Sequence, residues 1–378
     1  MHILHLSSAI SWRGGEQQVA YLLEGLVSCG HQVTVFCPKR SSLAEFCRRG
    51  SIPLHTYTKR MSIDPFVIGS LVRLFRQKKF DIAHTHDAQS HSQAVLAHRL
   101  SGSHLPLVVS RRVAFPIKKK GFSNYKYNYA GVQRILCVSE AIKKKLQGAI
   151  QHSERLTTVY SGIDENKFKK NKSGKLCQEL NIDPATFLIG NTSALSYHKD
   201  YQTFINTAVR LREAGIMAKF LLIGRDDGME DTLRNYIQQQ KFSEDFYFLG
   251  FRKDVPEILP DLDVFLFTPM VEGLGTSVLD AFACGVPVVA TNTGGIPEMV
   301  HHEQTGLLAD TGDDQALAQH VQWILENPQE SKELTENAYQ LLHQKFTRQS
   351  TLEATLRVYE VEKRSATTRS TPVVRSGA

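Results

Sequence analysis

Paired cysteines are missing from this 378-residue chain: its six cysteines, at 29, 37, 47, 137, 177 and 284, form no CxxC pair. In a chain of this size, scattered cysteines point to free thiols in a reducing compartment and argue against a disulfide framework or a cysteine zinc site. Long apolar runs are missing too. The longest, such as Val264–Phe267 and Val286–Ala290, fall far short of the ~20 residues that a membrane span needs. The opening residues, Met1–Leu6, carry neither a basic leader nor a long apolar core, so they read as a first strand and not as a secretory signal. No tandem repeat is visible beyond an alternation of strands and helices.

What is present is enough hydrophobic residue, 42% of the chain, to fill two cores, and the length suits two domains. In the first half, short apolar runs at His2–Leu6, Gln32–Phe36, Ile52–Tyr57, Asp81–His84, Leu107–Ser110, Arg134–Val138 and Leu156–Val159 predict strands. Amphipathic stretches such as Gln17–Cys29 and Asp64–Lys78 lie between most of them. The rhythm repeats with strands at Phe187–Asn191, Phe220–Ile223, Phe246–Leu249, Val264–Phe267 and Val286–Thr291, and helices at Tyr201–Ala214, Met229–Gln240 and Thr276–Ala283. Continuous apolar strands alternating with helices predict an α/β chain of two Rossmann-like, doubly wound domains. The expected division is 1–165, rejoined by a helix at 347–363, and 166–346, with a polar linker near Val159–Asn171 and a disordered tail at 364–378.

Charge is divided unevenly. Residues 1–165 hold 23 Lys and Arg against 10 Asp and Glu, whereas the remainder hold 22 against 28. The first half is therefore expected to face an anionic partner.

In open α/β sheets ligands bind beyond the carboxyl ends of the strands, and two facing sheets would trap one in a cleft. Residues there carry the chemistry. Glu272-Gly273-Leu274-Gly275-Thr276 follows a strand and opens a helix. Glycines let the backbone come close to a ligand, and the first helical N–H groups point at it, which suits a diphosphate or sugar hydroxyls. Asp280 stands eight residues after Glu272. On its own this pattern equally describes a glycine-containing helix start with a surface glutamate.

The wider stretch, EGLGTSVLDAFACGVPVVATNTGGIPEMV from Glu272 to Val300, resembles the donor-site signature of retaining glycosyltransferase family 4. SWRGGE at 11–16, DIAHTHD at 81–87 and the segment Val159–Phe168 resemble that family's amino-terminal glycine loop, histidine motif and interdomain linker, in the same order. The resemblance covers most of the chain. It implies the GT-B fold and transfer of a sugar from a nucleotide-sugar to an acceptor, with retention at the anomeric carbon and without a metal or other cofactor.

By this resemblance Glu272 binds hydroxyls of the donor sugar and the amides of Gly273, Leu274, Gly275 and Thr276 hold sugar and phosphate. Asp280 takes the ribose-binding place, which the family usually fills with glutamate. Lys199 matches the family's lysine beside the leaving diphosphate. The arginine expected five residues earlier is Ala194, and Arg225 is a candidate helper. Phe251 and Arg252 sit where the family frames the base, and Gly14 and Gly15 are a candidate lid over the diphosphate. His86 is expected near the reacting sugar. His84, His86 and Asp87 could be misread as metal ligands, but two residues of one strand offer no closed ligand set. Asp261-Leu262-Asp263 matches a DxD metal pattern, yet it precedes its strand and reads as a polar strand entry.

Arg111 and Arg112 follow the fifth strand, where paired guanidinium forks suit an acceptor phosphate or carboxylate. Lys118–Lys120, Lys126 and Lys143–Lys145 lie nearby, among Phe115, Phe122, Tyr125, Tyr127 and Tyr129. Such a patch suits the anionic inner face of a membrane for a cytoplasmic enzyme with a lipid-linked or phosphorylated glycan acceptor, although a lysine run is as often a plain solvated face. Nucleic acid is disfavoured because no recognised binding module is present. A nucleotide-sugar epimerase of the same plan and a non-catalytic nucleotide-sugar-binding subunit are the rival readings, and the donor base, the sugar and the acceptor stay open.

Overall fold

A computed structural model describes residues 1–370 apart from 78 and 119 and, in the last helix, apart from the side chains of 367–370. The chain divides into two compact units, Met1–Ser161 together with the chain from Arg348 onward, and Gly162–Thr347.

The first unit is built on seven strands, β1 (His2–Leu6), β2 (Gln32–Pro38), β3 (Leu54–Tyr57), β4 (Ile82–Thr85), β5 (Leu107–Arg111), β6 (Val132–Cys137) and β7 (Leu156–Thr158). The helices between them are α1 (Gly14–Ser28), α2 (Ser42–Arg49), α3 (Pro65–Arg76), α4 (Ala88–Ser101), α5 (Phe122–Asn128) and α6 (Glu140–Gln147). All pairs are parallel, in the order β3-β2-β1-β4-β5-β6-β7. Chain order reverses between β1 and β4, and such a switch opens a crevice at the carboxyl ends of those two strands.

The second unit repeats the design. It contains α7 (Lys175–Leu180), β8 (Phe187–Thr192), α8 (Tyr201–Glu213), β9 (Ala218–Ile223), α9 (Glu230–Gln239), β10 (Phe246–Gly250), α10 (Val255–Ile258), β11 (Val264–Phe267), α11 (Thr276–Cys284), β12 (Val288–Thr291), β13 (Leu307–Ala309), α12 (Asp314–Glu326) and α13 (Pro328–Lys345). The parallel order β10-β9-β8-β11-β12-β13 puts its switch between β8 and β11. Every residue of β11 and β12 is buried, as helices on both faces require of a parallel strand.

The last helix, α14 (Arg348–Ser370), belongs to the first unit. Its Leu352, Val358 and Tyr359 enter the same core as Ile3, Val35 and Leu136. Arg134 holds Glu362 at 2.6 Å, and Lys363 reaches Asp81 at 3.1 Å.

Three expectations need correction. The second sheet has a sixth strand, β13, whose three residues are too short to show a period. Residues 364–370 continue α14 and are not disordered; residues 371–378 of the expected tail lie outside the described residues. Apolar periodicity reports burial, and adding turns to an existing helix needs no new nucleus, so RSATTRS extends it without a stripe. Gly14 and Gly15 are the first two residues of α1 and not a loop. Glu16 makes this possible by accepting the Arg13 N–H at 3.1 Å, so the helix begins three residues before the amphipathic stretch that starts at Gln17.

Candidate active site

In the second unit three loops meet at the carboxyl ends of β8, β11 and β12. Met270 N–H donates to the His198 carbonyl (3.0 Å), the Thr268 hydroxyl to the Asp200 carbonyl (3.0 Å) and the Thr293 hydroxyl to the Met270 carbonyl (3.0 Å). Gly294 lies so close to Glu272 that a Cβ on it would stand 1.9 Å from the Glu272 carbonyl oxygen, and its φ is +56°. The GG at 294–295 is thus a spacer that lets the loop carrying Glu272 settle.

These loops bring Lys199 and Glu272 together. The Lys199 ammonium is in direct contact with Glu272 Oε2 and lies 4.7 Å over the Phe267 ring. Glu272 Oε1 accepts the Gly273 N–H at 2.9 Å, which fixes the carboxylate and takes up one of the amides expected to hold the donor. Gly275 caps α11 in the left-handed region (φ +91°), and no side chain caps the helix there. Val278 N–H is taken by the Gly275 carbonyl at 2.9 Å, which leaves the N–H groups of Thr276 and Ser277 as the positive end of the helix. Leu274 is buried beneath the turn.

Asp280 is half-buried on the next turn of α11. Burial raises its carboxyl to about 7. The sign of the effect on stability follows. The fold favours the protonated form, so ionisation costs stability as pH rises from the usual carboxylate range towards 7. Asp280→Asn should therefore raise the melting temperature relative to the parent at pH 8 and leave it nearly unchanged at pH 4. An equal difference at both pH values would contradict this reading of Asp280.

Arg225 follows β9, with its guanidinium on Asp227 at 2.8 and 3.0 Å. Phe251 is 63% exposed after β10. Arg252, beside it, grips Asp254 (2.7 and 2.8 Å) and Glu179 of α7 (2.5 and 2.9 Å), which raises its own pKa and lowers that of Asp254. Its fork is already filled by two carboxylates, so the geometry makes Arg252 a brace between α7 and α10. Asp261 accepts the N–H groups of Ser173, Gly174 and Leu176 (2.6, 2.9 and 3.0 Å), and Asp263 pairs with Lys172 at 2.5 Å. The DxD pair is occupied at strand entry.

In the first unit the switch between β1 and β4 carries histidines. His5 and His84 are register partners on the two strands, and His86 follows β4. His5 Nδ1 lies 2.9 Å from His86 Nε2 with the rings stacked, and the His84 and His86 ring centroids are 4.1 Å apart. Burial holds all three imidazoles neutral, His5 down to about 3. Asp87 is not part of this cluster. It caps α4 and accepts the Ser8 N–H (2.6 Å) and hydroxyl (2.5 Å). His5, His84 and His86 bring ligand atoms within 4.8 Å of one another, and among the described residues this is the group that could hold a metal ion. Both His84 nitrogens and one each of His5 and His86 already have hydrogen-bond partners. Sequence reasoning found His84 and His86 by their spacing and missed His5, whose proximity depends on which strands pair.

Arg112 is half-buried and donates to the His86 carbonyl at 3.2 Å. Burial outweighs the nearby Glu16 and Asp87 and lowers its guanidinium to about 10. Gly15 passes close by, since a Cβ there would stand 4.0 Å from Arg112 Cδ. Arg111 turns inward to Tyr127 (3.1 Å) and to the Phe115 carbonyl. Lys126 and Tyr127 are also buried, whereas Phe115, Phe122, Tyr125, Lys118, Lys120, Lys144 and Lys145 are exposed. Lys119 lies outside the described residues.

A family model described as "Glycosyl transferases group 1" matches residues 173–341, and one described as "Glycosyltransferase Family 4" matches residues 12–167. The chain is 26% identical over 290 residues to N-acetyl-alpha-D-glucosaminyl L-malate synthase of Bacillus anthracis, covering 75% of each protein. It is 25% identical over 257 residues to the UDP-Gal:alpha-D-GlcNAc-diphosphoundecaprenol alpha-1,3-galactosyltransferase of Escherichia coli, covering 65% of this chain and 66% of that protein. Among solved structures, Anabaena HepE in complex with UDP superposes with a TM-score of 0.83 at 21% identity, over 96% of this chain and 100% of that one, which shows a shared fold.

Proposed function

Since this chain belongs to glycosyltransferase family 4 and has its GT-B fold, it is a glycosyltransferase, and we propose that it moves a hexosyl group, with retention, from a nucleoside-diphosphate sugar to a lipid-linked or phosphorylated glycan acceptor. The observation that carries the donor assignment is the Lys199–Glu272 pair beside the uncapped start of α11, at the topological switch of the second sheet. A departing diphosphate gains negative charge, and a fixed ammonium with oriented helical amides stabilises that charge without reorganising. Lys199 and the first turn of α11 take this role. Glu272 accepts hydroxyls of the transferred sugar, and Asp280 accepts ribose hydroxyls in its ionised form. His86 hydrogen-bonds the reacting sugar.

Attack comes from the face the diphosphate leaves, with a diphosphate oxygen taking the acceptor proton. The two relatives named above support the acceptor class in part, since one uses a diphospholipid-linked glycan and the other an L-malate. Arg112 is the cation that suits an acceptor phosphate or carboxylate.

The reaction proceeds without a metal in this reading, because the histidine cluster satisfies its nitrogens mainly with one another and with hydroxyls. Transfer with a nucleotide-sugar and a lipid-linked glycan should persist in excess chelator and yield a product of unchanged anomeric configuration. Inversion, or loss of activity restored by a divalent ion, would refute the respective part. Release of an altered sugar nucleotide without acceptor would favour the epimerase, and nucleotide binding without turnover the binding subunit.

No helix among the described residues is long and apolar enough to cross a membrane. We place the enzyme on the cytoplasmic face of the membrane through the exposed lysines and aromatics of the first unit. Co-sedimentation should be stronger with anionic than with neutral vesicles and should weaken in salt; equal binding to both would remove the proposal.

A further inference from the structure

His84 sits at the centre of the histidine cluster and has a partner on each ring nitrogen. Its Nδ1 lies 2.5 Å from the hydroxyl of Tyr359 on α14, and its Nε2 lies 2.8 Å from the hydroxyl of Ser110 on β5. Tyr359 is fully buried, and burial keeps its phenol un-ionised. A neutral phenol is the stronger donor of the two hydroxyls, so Tyr359 O–H donates to Nδ1 and His84 carries its proton on Nε2, which donates to Ser110. His86, packed against His84, bonds His5 through Nε2 and leaves Nδ1 buried with no protein partner. A buried polar atom without a partner is costly unless something else satisfies it.

We propose that Tyr359 is a positioning residue for the transfer reaction: by fixing the tautomer of His84 it holds the imidazole of His86 in place against His5. This rests on the transferase reading. Helix α14 thereby becomes part of the site, through one hydroxyl donated 275 residues away in sequence from the ring it orients.

The test compares the full-length protein with Tyr359→Phe, which keeps the ring and removes the donor. The expected result is a fall of kcat by about tenfold, from loss of one oriented hydrogen bond, with the donor KM within twofold. Ser110→Ala should lower kcat in the same direction by removing the second constraint on the ring. Nitrogen-15 correlation spectra of the wild type should show His84 as the Nε2–H tautomer. An Nδ1–H tautomer, or a Tyr359→Phe enzyme with unchanged kcat, overturns the inference and leaves the transferase reading standing. A wild-type protein that transfers no sugar overturns both.

Discussion

Glu272→Ala is expected to lower kcat/KM for sugar transfer by about 10²–10³-fold, in the range seen when an oriented group serving the transition state is deleted. The carboxylate has two tasks that alanine cannot perform. One oxygen holds the Gly273 N–H at 2.9 Å, and the other neutralises Lys199, whose side chain is only 21% exposed. Removal leaves that ammonium without its partner and removes the acceptor for the sugar hydroxyls at once. Glu272→Gln keeps the shape and part of the hydrogen bonding, and should fall between the two. Steady-state kinetics, with circular dichroism to confirm an intact fold, decide the matter. An alanine variant within threefold of wild type would show that the Glu272–Lys199 pair is not the donor site.

Gly294→Ala should damage fold and site together. Its φ of +56° costs an alanine about 1 kcal/mol. The larger cost is steric. The new Cβ would stand 1.9 Å from the Glu272 carbonyl oxygen, and overpacking of this kind typically costs about 1–3 kcal/mol more. The strand-end loops must part, and a shift of roughly 1 Å in a positioning group lowers turnover by about 10²-fold. Gly285 is the control. It has a φ of +69° with open space where its Cβ would be, so Gly285→Ala pays only the backbone term. The difference between the two variants in urea unfolding and in donor affinity isolates the close approach. Equal behaviour of the two would mean that Gly294 does not space the Glu272 loop.

The two predictions differ in where they were legible. Glu272 and Lys199 stand in the loops that follow strands, with Asp280 in the helix that Glu272 leads into, and a residue after a strand falls at the ligand-binding rim of a parallel sheet whatever the order of the strands. Gly294 was visible as part of a motif, but its contact with the Glu272 backbone was not, because it joins two loops 22 residues apart. Arg252 shows the reverse case. Its place after β10 is legible in the sequence, yet Glu179 and Asp254 occupy its fork, and no spacing rule gives the direction of a long flexible side chain.

The apolar runs and their alternation with helices were sufficient to determine two parallel α/β units, since burial on both faces leaves continuous hydrophobic strands as its record in the chain. Strand order, and all that depends on it, was decided in three dimensions. His5 meets His84 and His86 because β1 pairs with β4, and Tyr359 reaches His84 because α14 returns to the first unit. Local composition sets local conformation, whereas contacts between distant segments are chosen by which buried surfaces fit, and that choice is spread over the whole core.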